Sequence, residues 1–116
     1  MLKKEVNSQT AQKILSTVDY LHGFHFFKST GDYTGETATS LLSFSLELKT
    51  IDIQSIRYHF ERGDFQKWMR TTLGDDELAE RMDNLRRPAS DEDLREELVK
   101  ILQKRLSELR SLKVLS

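Results

Sequence analysis

Three residues of this chain have the types and spacing of a proton-transfer site. His59, Arg62 and Asp64 fall within the run HFERGDF. On a helix, His59 and Arg62 are three apart and share a face. Asp64 follows the glycine turn and can pair with either. A buried imidazole beside a carboxylate can serve as a general base. The plainer reading needs no function: Asp64 caps the next helix and also bonds Arg62 across the turn. The residue types favour that structural reading, and no further nucleophile, metal set or cofactor motif is legible.

Other residues carry weaker chemistry. His22 and His25 lie three apart, but Gly23 intervenes and no carboxylate motif accompanies them, so no metal and no cofactor is expected. The stretch 29–40, STGDYTGETATS, reads as an ordered glycine-containing loop. Its hydroxyls, with Tyr33 and Thr34 between the glycines, could cradle an anion. It lacks the spacing and the lysine of a phosphate-binding P-loop. Arg57, Arg62, Lys67 and Arg70 are interleaved with Glu61 and Asp64, which is a mixed solvated face rather than a nucleic-acid surface. The six phenylalanines and Trp68 fit a helical core, and could line a pocket only if the loop leaves one side open. A ligand site therefore gathers Tyr33, Thr34, His59, Arg62, Asp64 and Trp68.

Composition narrows the class. The chain has 116 residues, a net charge of −1, 32% charged residues, one proline and no cysteine. It is long enough for one real core. Near neutrality gives no global field for nucleic acid or anionic lipid. The lack of cysteine removes disulfides and thiol chemistry and fits a cytoplasmic protein. No apolar run has the length of a membrane span, and the N-terminus lacks the apolar stretch of a signal peptide.

The elements that must position these residues read as helices throughout. Residues 1–7 are expected to fray. Asn7 or Ser8 caps a helix carrying Ala11, Ile14, Leu15, Val18 and Leu21, which Gly23 ends. Phe24-His25-Phe26-Phe27 is aromatic but has no evident strand partner, so it reads as an irregular segment or a continuation of that helix. Thr39 or Ser40 caps a second helix, and Asp52 caps a third. Gly63-Asp64 and Gly74-Asp75 repeat one device, a glycine that ends a helix followed by an aspartate that starts the next. Ser90-Asp91-Glu92-Asp93 opens a long final helix over 90–113, with leucines from Leu94 to Leu112 on a wide stripe. The expected fold is all-α: a single domain of about six helices, with three short central ones and a long C-terminal brace, in an irregular orthogonal array.

Residues Phe24, Phe26, Gly31, Tyr33-Thr34-Gly35, Ala38, Ser40-Leu41 and Phe44 form part of a recognisable pattern. It continues through Ser55, His59, Arg62-Gly63-Asp64-Phe65, Trp68, Leu73-Gly74-Asp75 and Leu78-Ala79, with Leu94-Arg95 beyond. The pattern resembles a small domain family of uncharacterised function found mainly in archaea, over roughly residues 20–105. The resemblance implies a shared fold and no assigned activity.

Two functions of different class are expected from this reading. One is a non-enzymatic interaction or adaptor domain, dimerising through Leu98, Leu102, Leu109 and Leu112 of the final helix. The other is a small-ligand or anion-binding domain, with its site near the 29–40 loop and the RGDF turn.

Overall fold

The computed structural model describes residues 7–114. Apart from Asn7, the end expected to fray lies outside them. Asn7 opens helix α1 (Ser8–Ile14), its side-chain oxygen accepting the Thr10 N–H at 2.9 Å. The helix stops there, short of the expected Gly23. The Val18 N–H bonds the Thr39 carbonyl at 2.8 Å, which holds this stretch against the entry to the next helix. A single 3-10 turn, Tyr20–His22, follows under an Asp19 cap, and Leu21 is 83% exposed.

The expectation of an all-α fold is wrong. Strands β1 (Phe24–Ser29) and β2 (Asp32–Ala38) form a two-stranded antiparallel sheet. The partner that Phe24–Phe27 lacked in the sequence is the stretch read as a loop. Two residues, Thr30 and Gly31, connect the strands, and Gly31 has φ +78°. Such short connections need a residue that tolerates positive φ. Register is Phe24 opposite Ala38 and His25 opposite Thr37, then Phe27 opposite Tyr33. Between those pairs the register shifts, with Gly35 at φ +90°. A bulge of this kind explains why β2 shows no clean alternation. Phe24 and Phe26 are buried, whereas most of β2 faces solvent.

Ser40 caps α2 (Leu41–Leu48) by a reciprocal pair of bonds with Ser43. The end of α2 is closed from a distance. Arg95 donates to the carbonyls of Leu48 and Ile51, each at 2.7 Å, which satisfies backbone acceptors that a helix end leaves open. Asp52 caps α3 (Ile53–Arg62), and Gly63, at φ +72°, ends it. Helix α4 (Asp64–Trp68) runs into a π-helical turn at Met69–Leu73, which Gly74 ends at φ +75°. Asp75 caps α5 (Asp76–Asp83), and α6 (Asp91–Val114) follows.

The core has an aromatic centre. The Phe24 ring lies 4.7–5.8 Å, centroid to centroid, from Phe26, Phe44, His59, Phe65 and Trp68. Leucines 94, 98, 102, 106 and 109 of α6 extend the same cluster. Aromatic pairs in tilted and edge-on geometry add to the burial of their surface.

One ion pair lies inside this frame. Arg105 of α6 donates to both oxygens of Asp75 at 2.9 Å, and neither side chain is more than 5% exposed. Asp75 also accepts the Leu78 N–H. Burial alone would lower the pKa of Arg105, but the carboxylates of Asp75 and Glu108 together outweigh it and hold the pKa above its ordinary value. Arg105→Ala leaves a buried carboxylate without its partner. The expected loss is about 3–5 kcal/mol of unfolding free energy, read by urea denaturation. The pair Asp75→Asn with Arg105→Met should recover a large part of it.

Candidate functional site

The imidazole of His59 is fully engaged. Its Nε2 accepts the backbone N–H of Phe27 in β1 at 2.8 Å. A backbone amide can only donate, so Nε2 carries no proton and the proton sits on Nδ1. Nδ1 then donates to Asp64 Oδ2 at 2.9 Å. The ring is therefore neutral, in one tautomer, with no lone pair left to take a proton. Burial lowers its pKa most strongly, Asp64 acts in the opposite sense and Arg62 reinforces burial. The net direction is downward. The general-base reading of His59 does not survive this geometry.

The structural alternative holds for the Asp64–Arg62 bond but not for the cap. Asp64 is the first residue of α4, and the cap position belongs to Gly63, which makes no side-chain bond. The Asp64 carboxylate instead receives His59 and, at 3.0 Å, the Nε of Arg62. The Arg62 carbon Cζ lies 5.0 Å from the centroid of the Tyr58 ring. Tyr58 sits four residues earlier on α3, in turn bonded to Thr30 of the hairpin at 3.2 Å. Trp68 donates its indole N–H to the His22 carbonyl at 2.9 Å.

His59, Arg62, Asp64 and Trp68 line one open cleft of about 430 Å³. Phe24, Phe27, Tyr58 and Lys67 contribute to the same walls. The cleft lies where the hairpin turn meets α3 and α4. Lys67, Tyr58 and Thr30 are absent from the expected site. The i, i+4 spacing of Tyr58 and Arg62 could have indicated Tyr58; Thr30 depends on the hairpin and has no local signal.

Tyr33 and Thr34 are elsewhere. They line a second cavity of about 340 Å³ with Lys28, Asp32, Glu36, Glu47 and Asp52. Burial and the neighbouring Glu36 raise the pKa of Glu47 there. Four carboxyl groups disfavour an anion. Thr34 holds the bulge in place, donating to the Phe26 carbonyl at 2.7 Å and accepting the Glu36 N–H at 3.1 Å. Tyr33 bonds Thr37 and Tyr20 through its hydroxyl.

The two histidines weighed as metal ligands have separate partners. His22 bonds Asp19 at 2.6 Å, and His25 bonds Thr37 at 2.8 Å. Among the described residues, no group of three or more His, Cys, Asp or Glu is placed to hold a metal ion. The leucines expected at an interface face inward: Leu98, Leu102 and Leu109 are fully buried within this chain, and Leu112 is partly so.

Residues 61–116 match the model of a family of unknown function, DUF5752. No curated protein and no solved structure matches the chain. The match takes in Arg62, Asp64, Trp68 and the Asp75–Arg105 pair. The hairpin, His59 and the other N-terminal residues of the resemblance lie before it. Among the described residues, no helix is long and apolar enough to cross a membrane.

The two bonds at Asp64 separate by mutation. Asp64→Ala strips the acceptor from a buried imidazole N–H and should cost about 1–3 kcal/mol. Arg62→Ala, at an exposed pair, should leave the melting temperature almost unchanged. The pH dependence follows from the lowered pKa of His59. The unfolded chain takes up this proton first, near the ordinary value of 6.5. The stabilising contribution is therefore complete above that pH and is lost as pH falls below it. Thermal melts between about pH 7.5 and pH 5.5 should show falling stability in the wild type and a shallower fall in His59→Gln.

Proposed function

We propose that this domain binds a small anionic ligand with an apolar or aromatic body, in the cleft beside the RGDF turn. One observation carries the reading: Arg62 and Lys67 border the same cleft as Phe24, Phe27, Tyr58 and Trp68. Apolar walls with a few converging polar groups are the usual form of a small-molecule site. The Arg62 hydrogen bond to Asp64 uses Nε, and the two terminal nitrogens of the guanidinium remain for a carboxylate or phosphate. Lys67 takes part in no ion pair among the described residues and adds a second positive charge. Asp64 and His59 act as positioning residues, fixing Arg62 and the hairpin edge on either side of the opening.

This reading moves the ligand site away from Tyr33 and Thr34, whose cavity is acidic. It also supersedes self-association through the α6 leucines, because that stripe already packs in the chain's own core. A cysteine-free sequence fits a cytoplasmic setting.

The chain contains one tryptophan, and it lines the cleft. Binding should therefore change the intrinsic fluorescence directly. Inorganic phosphate, benzoate, phenyl phosphate and adenosine monophosphate form a graded panel of probes. Phenyl phosphate or the nucleotide is expected to change the Trp68 emission and raise the melting temperature with concentration. Arg62→Gln with Lys67→Gln should abolish both effects. A flat response from all four probes, or one that persists in the double variant, rules the reading out.

A further inference from the structure

On another face of the molecule, helix α2 leaves two leucines in solvent. Leu42 and Leu46 are 43% and 53% exposed, although Leu41, Phe44 and Leu48 of the same helix are buried. Four residues apart, they form one ridge. The ridge borders a groove of about 690 Å³ between α2 and α6, with Leu106 among its lining residues. Gln103, Ser107 and Ser111 of α6 line it as well. Among the described residues, its charged lining residues are Lys49 and Arg110, and no carboxylate lines it. Neither cation takes part in an ion pair among the described residues, whereas Arg105 and Lys100 of α6 are each paired to a carboxylate.

We infer that this groove docks an amphipathic helix of another protein, one with leucine-like residues along one face and carboxylates flanking them. An apolar trough between two helices accepts the ridge of a third. Unpaired cations bordering the trough favour an acidic partner and disfavour a basic one. A second copy of this chain fits poorly. Two such grooves face to face would set cations against cations. The chain's own acidic helix starts, at Asp76-Glu77 and Asp91–Asp93, precede apolar residues that are buried, Leu78 and Leu94.

The test uses a designed helical peptide of about four turns, with leucines at i and i+4 flanked by glutamates. A control peptide carries lysine in place of each glutamate. Titration into isotopically labelled protein should shift amide resonances of α2 and α6 around Leu46 and Arg110, and the control should not. Leu46→Lys and Arg110→Glu should each weaken binding by about tenfold or more. Both residues are exposed, so circular dichroism should show both variants folded. Arg62→Gln with Lys67→Gln should leave peptide binding intact, which separates this surface from the RGDF cleft. Absence of shifts up to about 1 mM peptide, the weakest affinity worth assigning, overturns the inference. Equal binding of the control, or unchanged binding by both groove variants, overturns it too. A dimer in light scattering that Leu46→Lys dissolves would assign the groove to a second copy instead.

Discussion

The placement of the hairpin depends on one imidazole. His59 accepts the Phe27 N–H and donates to Asp64, so it joins a strand edge, the last turn of α3 and the first residue of α4. A two-stranded sheet is marginal by itself. Here the sheet is stabilised by burial of Phe24 and Phe26 and by this one side chain inserted at a backbone amide. The bond also explains why so polar a group is tolerated beside Phe24 and Phe65. Both ring nitrogens are satisfied, and the ring is uncharged. Buried polar groups are costly when unpaired and specific when paired. Protonation would place a charge in a buried site and, separately, set an N–H against the Phe27 N–H.

A second tie does for the C-terminal half what His59 does for the hairpin. Gly63 and Gly74 reverse the chain twice within a dozen residues. Such turns would leave α4 and α5 free to swing if nothing crossed them. Arg105 crosses the second by holding Asp75, and Arg95 crosses from α6 to the end of α2. The long final helix therefore acts as more than an apolar brace. Its arginines reach the places where other helices end, and its leucines fill the space between them.

Much of this was legible in local sequence. Asn7, Ser40, Asp52, Asp75 and Ser90 act as caps, and Gly63 and Gly74 adopt the left-handed conformation expected of them. These are short-range effects, fixed by residues three or four apart. The hairpin was not legible, because Gly35 and the threonines of β2 have loop composition and the bulge removes the period of two. Asp64 was misread as a cap because the signature of a cap and that of a carboxylate at the first helical position differ by one residue. The wide leucine stripe of α6 was visible, but a stripe alone does not say which surface covers it. The Asp75–Arg105 and Phe27–His59 bonds join residues thirty or more apart. Nothing in the spacing of residue types encodes them.

The hairpin also bears on how the chain avoids associating with itself through its backbone. A two-stranded sheet offers two open edges, and exposed edges recruit strands from neighbouring molecules. On β1, a side chain already occupies the Phe27 amide, so an incoming strand would meet an imidazole instead of a free donor. On β2, the kink at Gly35 breaks the straight run of backbone groups that a neighbour would need, and Asp32 and Glu36 add like charges along it. The features that made the strands hard to recognise thus also blunt them as templates for aggregation.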